Sequence, residues 1–178
     1  MADLETKPAT CADIEALPAN VVGEIIFGAL QRHPRPPPGH VVASSSPGGE
    51  LIGPFQKGAG GPGGWIFADE PELHLAPHVL VSDIAAWRRE TLTALPAAAY
   101  FETAPDWICE VLSPATEKYD RGDKRPIYAA FEVDHLWLPD PAAQFLEVFQ
   151  RPGQGKDWLL TPICSRNTNR STRRPLAS

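Results

Sequence analysis

Three carboxylates and one lysine have the types and settings that could do chemistry: Asp83, Glu110, Glu24 and Lys124. Glu110 stands in the run Trp107-Ile108-Cys109-Glu110-Val111-Leu112, whose other members are apolar. A charge in such a run is costly unless it is paired, protonated or bound to a metal. Asp83 lies near the end of a second apolar run, Val79-Leu80-Val81-Ser82-Asp83-Ile84, and Glu24 interrupts a third around Val21 to Ile26. Alternate residues of a strand face opposite sides, so Glu110 shares a face with Ile108 and Leu112. Asp106 falls on that side too, but four residues along a strand is about 13 Å, too far for two ligands of one ion. A neighbouring strand brings side chains to about 5 Å, and Asp83 is the acid on a candidate neighbour. Two hard oxygen donors plus waters suit Mg²⁺ or Mn²⁺ rather than zinc. Such an ion polarises a phosphoryl oxygen and acidifies a bound water. Lys124 is placed to orient that water, or to steady developing charge, if the start of its helix leans over the strand ends. Taken one at a time, the same residues also read as a paired buried acid, a loop-start cap and a solvated helix residue.

The elements that must position these groups can be read in order. Asp13 caps a short helix near residues 11–17 that Pro18 interrupts. Val21 to Leu30 reads as a strand, a Gly28 turn and a second strand. His33 to Gly39, rich in proline, reads as an extended connector. A weak helix is expected from His40 to Phe55, with Ser44, Ser45, Ser46, Pro47 and Gly48-Gly49 against it. Residues 57–64 are a glycine-rich loop without the Lys-Ser/Thr ending of a phosphate cradle. Trp65 to Phe67 and Leu73 to Leu75 are short strands. Val79 to Ile84 reads as one strand buried on both faces, and 85–93 as a polar stretch. After the Glu110 strand, Asp123 to Phe131 suggests a helix with Asp123 at its cap and Pro126 in its first turn. His135 to Leu138 and Phe145 to Phe149 form a hairpin. Strands before and after the helix make an α/β or α+β domain on one mixed sheet.

The chain has 178 residues, which is one domain with room for a real core. Cys11, Cys109 and Cys164 form neither a metal pattern nor a disulfide framework, which fits a reducing, cytoplasmic setting. The polar N-terminus is no secretory signal, and no apolar run of membrane length occurs, so no membrane partner is expected. From Ile163 on there are four arginines and no acid; removing their charge from the net of −6 leaves −10 on the first 162 residues. An acidic body lacks the usual footprint of a general nucleic-acid surface. The expected organisation is a flexible N-terminus over 1–12, a folded domain over 13–162 and a basic, disordered tail over 163–178.

The segments VVGEIIFGAL, PRPPPGH, GGPGGW, DEPELHL, VLVSDIAAWRRE, APDWICEVLSPATEKYDRGDKRPIYA and VDHLWLPDP together resemble the Uma2-like (DUF820) restriction endonuclease family of the PD-(D/E)XK nuclease superfamily. The resemblance runs from about Asp13 to Phe149, and EVLSP-T-D-K is its most specific part. It implies a restriction-endonuclease-like α/β core, a mixed central sheet flanked by helices, and metal-dependent hydrolysis of DNA. By that resemblance Asp83 and Glu110 match the two metal-binding acids, and Glu24 matches the acid of the E-x-x-D-G-x-L segment. Leu112 holds the usual place of the superfamily lysine, and Lys124, from the D-x-x-x-K segment with Asp120, stands in for it. Ser82 replaces the usual proline before Asp83. Phe27 and His78 replace usual acids, Glu132 a usual glycine and Pro139 an aliphatic residue. The tail after Pro162 does not resemble the family, as an altered C-terminus would explain. The expected activity is a Mg²⁺- or Mn²⁺-dependent endonuclease acting on DNA, with a homodimer open to it. Two other classes stand beside it: a catalytically inactive nuclease-fold module for binding or assembly, and a glycosidase using Asp83 and Glu110 as acid and base.

Overall fold

The computed structural model describes residues 7–36, 38–152 and 158–164. Two sheets carry the fold. A four-stranded antiparallel sheet has the order β2-β1-β5-β4, from β1 (Val21–Ile26), β2 (Ala29–Pro34), β4 (Glu72–Leu75) and β5 (His78–Val81). A six-stranded sheet has the order β10-β9-β8-β7-β6-β3. Its strands are β3 (Trp65–Asp69), β6 (Ile84–Arg88), β7 (Trp107–Cys109), β8 (His135–Asp140), β9 (Phe145–Gln150) and β10 (Leu159–Cys164). Only β7 and β8 run parallel among its pairs. A parallel pair needs a crossover connection, and the helical run ending in α3 (Arg125–Ala130) supplies it. The α/β class stands; the expected single mixed sheet is two sheets.

The division falls at Ser82-Asp83. The apolar run from Val79 to Ile84 is two strands, β5 in the small sheet and β6 in the large one. Hydropathy gives no warning, because residues on both sides of the corner are buried. The β3–β4 connection crosses between the sheets at the same place, and the Glu70 N–H donates to the Asp83 carbonyl across the two links at 3.0 Å. The stretch expected to be polar, 85–93, opens instead with β6, an interior strand of the large sheet. Ala85, Ala86 and Trp87 are wholly buried, and Trp87 stacks on Phe101 with ring centroids 4.5 Å apart.

The main core lies between the two sheets and α3, where Leu73, Leu80, Trp87, Ile108, Leu136 and Tyr128 meet. A second cluster, with Ile84, Ala86, Trp107, Cys109 and Val111, lies on the other face of the large sheet under α2 (Pro38–Leu51). This helix starts at Pro38, inside the expected connector, and keeps Pro47 within it before a π-helical turn, Ile52–Gln56. The first helix, α1 (Cys11–Glu15), is capped by Thr10, and Asp13 closes the cap from inside the first turn by accepting the Thr10 N–H and hydroxyl at 2.7 and 2.8 Å. Asp123 likewise caps nothing, because a π-helical turn, Tyr119–Lys124, leads straight into α3, with Pro126 in its first turn. The terminal strand β10 extends the pattern past Pro162; residues 165–178, most of the expected tail, lie outside the described residues.

Two residues carry a visible backbone cost. Phe27 and Gly28 both have positive φ, as the primed two-residue hairpin turn demands, and Phe27 is not a residue that adopts it readily. Glu132 has a φ of 61° between α3 and β8. A side chain in that region costs about 1–2 kcal/mol. Glu132→Gly should therefore raise the unfolding free energy by about 1 kcal/mol in urea denaturation; a loss of stability would contradict this reading of the turn.

Candidate functional site

The corner between the sheets gathers the predicted residues. Ile84 of β6 pairs with Cys109 of β7, so the residues just beyond them, Asp83 and Glu110, come side by side. Each carboxylate grips the other's strand. The Asp83 N–H donates to Glu110 Oε2 at 3.2 Å, and the Val111 N–H donates to Asp83 Oδ2 at 2.6 Å. Beyond Cys109 the chain stays bonded to β8, through the Glu110 N–H to Trp137 O and the Leu112 N–H to Pro139 O. Glu110 is thus held in place on both sides. Asp106 is at the far end of the same strand, where it accepts the Arg88 backbone N–H at 2.7 Å and the Arg88 guanidinium at 2.5 Å.

Lys124 reaches the site from the end of its π-helical turn. Its Nζ lies 2.9 Å from Val81 O, 2.9 Å from Glu24 Oε1, and 3.4 Å from both Glu110 Oε1 and Asp120 Oδ1. An ammonium has three donors, so these four acceptors take all of them. Asp120 and Lys124 meet because four residues is one helical turn. Glu24 enters from β1 and also accepts the Val81 N–H at 2.8 Å, while Tyr128 donates its hydroxyl to Glu110 Oε1 at 2.5 Å. Leu112 is buried in the main core, and the Lys124 ammonium stands beside Glu110.

Sequence reasoning missed four neighbours. His40, on α2, brings Nε2 to 2.7 Å from Val111 O and 3.6 Å from Asp83 Oδ2. A carbonyl can only accept, so this nitrogen carries the proton. His33 Nε2 stands 3.2 Å from Glu24 Oε2, off the line of a hydrogen bond. Tyr128, in α3, and Glu70, between β3 and β4, complete the set. The PRPPPGH segment was the one signal for His40; single residues in the other three cases carry no pattern.

The electrostatics are lopsided. The cleft, about 690 Å³ with its solvent-open part, is lined by five carboxylates (Glu24, Glu70, Asp83, Glu110, Asp120) against the cations Lys124 and Arg35. Burial pushes the Glu110 carboxyl well above its usual range; Lys124 opposes this, and Asp120 and Asp83 add to it. Burial raises Asp83 as well, against His40 and the Val111 N–H. Burial would lower Lys124, but Glu110 and Glu24 hold it well above the ordinary lysine range. Burial would raise Glu24 too, yet Lys124 and the Val81 N–H outweigh it and bring the group down to about 2.

The donor chemistry fits a hard divalent cation. Mg²⁺ keeps several waters and takes one or two carboxylates, and Asp83 and Glu110 are two such donors whose mutual repulsion a cation would relieve. Among the described residues no group of three or more His, Cys, Asp or Glu forms a complete protein cage for a metal, so waters or substrate oxygens would have to finish the shell. Among those residues no helix is long and apolar enough to cross a membrane.

Comparison with known proteins agrees with the fold. A family model, Uma2, described as "Putative restriction endonuclease", matches residues 23–177. That match runs on past Phe149 through the basic C-terminal stretch, beyond where the resemblance read from the sequence stops. A crystal structure of a "putative nuclease belonging to DUF820" from Anabaena variabilis ATCC 29413 is similar at 24% identity. It covers 86% of this chain and 84% of that one, with a TM-score of 0.65. No curated protein matches.

Glu24 sets a pH signature. Its carboxyl falls from 4.5 to about 2 on folding, a difference of about 3 kcal/mol. A depressed acid stabilises fully above its unfolded value and loses that contribution as pH falls through the folded one. Urea denaturation should therefore find Glu24→Gln much less stable than wild type at pH 7, with the gap closing between pH 4.5 and about 2. A gap independent of pH would remove Glu24 from the ion pair.

Proposed function

Because the chain belongs to the Uma2 family, whose model is described as a restriction endonuclease, we propose that it is a Mg²⁺- or Mn²⁺-dependent endonuclease hydrolysing DNA phosphodiester bonds. The observation that carries this reading is the crossed pairing of Asp83 and Glu110 in one acid-rich cleft. On this reading Asp83 and Glu110 hold the ion, and a divalent cation there would supply Lewis-acid polarisation of the phosphoryl group. The surplus of carboxylates in the cleft would repel a phosphodiester, so the strand would be bound together with the cation.

Lys124 fixes Glu110, and with it the ion's seat, through a charge that neither burial nor neutral pH removes. It is not a general base, since a proton held so firmly leaves no free lone pair. With its donors committed, it acts on the substrate as a fixed positive charge beside the cleft. Glu24 and Asp120 keep that ammonium in place, and Tyr128 orients the Glu110 carboxyl. His40 keeps Asp83 and the Val111 carbonyl together.

The saturation of Lys124 by four acceptors favours a second reading, a nuclease fold kept as an inactive binding module. Calorimetry and plasmid nicking separate the two. Wild type should bind Mg²⁺ or Mn²⁺ and nick DNA only with the metal. Asp83→Ala and Glu110→Ala should each weaken metal binding at least about tenfold, which is about 1.4 kcal/mol, and abolish nicking. Wild-type protein that takes up neither ion would end the enzyme reading.

A further inference from the structure

A further cavity lies on the large sheet's α2 face, and the site described above makes no use of it. It is about 600 Å³ with its open part, and its walls are aromatic: Trp65 and Phe67 from β3, Trp107 from β7, Trp137 from β8 and Phe55 from the π-helical turn. Rings follow one another along the wall, Trp65 to Phe67 at 6.5 Å, Phe67 to Trp107 at 5.9 Å and Trp107 to Trp137 at 5.3 Å between centroids. Trp65, Phe67 and Trp137 are only half-buried. Cavities of this size, mostly aromatic with few polar groups, are the usual form of ligand sites.

The one titratable residue of the wall is His135. Its ring makes no hydrogen bond among the described residues, and burial lowers its pKa, favouring the neutral form. A neutral imidazole offers one donor and one acceptor. No carboxylate lines the cavity, in contrast to the acid-rich cleft, and Arg88 lies over the outer ring, Trp65, at 5.0 Å. A flat, uncharged ring with polar edges complements such walls; an anion or a flexible chain does not.

Position narrows the choice further. The helix α2 reaches from one site to the other, with His40 in the acid-rich cleft and Leu51 in the aromatic cavity. Eleven residues of helix span about 16 Å, a few nucleotides along an unpaired strand. A strand whose phosphate lies in the cleft can therefore lay a base in the cavity. Stacking on aromatic side chains accepts any base, because each has a π face. It needs the base unpaired.

We propose that this aromatic cavity binds an unpaired nucleobase of the strand whose backbone occupies the acid-rich cleft, so that the protein selects single-stranded or locally opened DNA. The choice of nucleic acid as ligand rests on the nuclease reading; the cavity's preference for a flat neutral ring does not.

The test titrates the protein, in buffer containing Ca²⁺ as the hard divalent cation, with a short single-stranded oligonucleotide, following tryptophan fluorescence and the anisotropy of a dye on the strand. Saturable quenching is expected, together with much weaker binding of the same sequence as a duplex and none of the quenching with a fully abasic strand. Trp137→Ala and, as an independent variant, Trp65→Ala should each weaken binding about 5- to 100-fold, while Trp137→Phe keeps most of it. Equal quenching by the abasic strand, or unchanged affinity in both folded alanine variants, would overturn the proposal. So would quenching that depends on protein concentration without DNA, since a second copy would then fill the cavity. Binding, not cleavage, is the readout. A protein that binds no Mg²⁺ yet passes it loses the nuclease reading and keeps this one; a protein that nicks DNA yet fails it loses only this one.

Discussion

One buried ammonium organises the structure. Lys124 has almost no exposed surface, and its charge is met by acids from three separate elements: Glu24 on the small sheet, Glu110 on the large sheet and Asp120 one turn back along its own helix. Removing one partner from such a buried group leaves an uncompensated charge, which is far more costly than the pair is stabilising. The two sheets and the crossover helix therefore cannot shift relative to one another without exposing that cost. The same constraint leaves negative charge in excess. One ammonium cannot neutralise Glu24, Glu110, Asp120 and the adjoining Asp83, which is why burial and mutual repulsion push Glu110 and Asp83 upward while Glu24 is held down.

Topology turns this charge cluster into a cleft. Two connections pass from one sheet to the other at a single corner, β3 to β4 and β5 to β6, and backbone polar groups are freed there from the ladders. Asp83 sits at that corner and uses its carboxylate to bind the next strand's Val111 N–H, while Glu110 does the same for Asp83. The acids thus replace missing ladder bonds and face the open space between the sheets. The far end of β7 shows the contrast. There Asp106 is spent on Arg88, and the residues free of ion pairs are the aromatic ones, Trp107 and its neighbours on β3 and β8.

Much of this was legible in the sequence, for physical reasons. An acid among apolar strand residues must find a partner, and strand geometry both excluded Asp106 and pointed to Asp83. Asp120 and Lys124 were joined only by the D-x-x-x-K segment of the resemblance, because the helix read from the sequence starts at Asp123 and leaves Asp120 outside, whereas one helical turn carries both. What was not legible follows from the limits of local pattern. The break at Ser82-Asp83 is hidden because hydropathy reports burial and not sheet membership. The interior of β6 was taken as polar because Arg88 and Arg89 follow Trp87 directly, although Ala85 to Trp87 are wholly buried. Serines and Pro47 argued against α2, which packs its Ala43 and Leu51 on the large sheet regardless. His40, His33 and Tyr128 join the site through tertiary contacts that no spacing in the chain announces.

The claim that the site is built around a charged lysine is open to one direct measurement. In protein carrying ¹³C-labelled lysine, the Lys124 ε-carbon resonance, assigned by its loss in Lys124→Arg, reports whether the ammonium is protonated. The account predicts that it shows no titration up to and beyond pH 10.5, the ordinary lysine value, for as long as the protein stays folded. A resonance that titrates below 10.5 would mean that desolvation outweighs the carboxylates, and that Lys124 does not hold the site together.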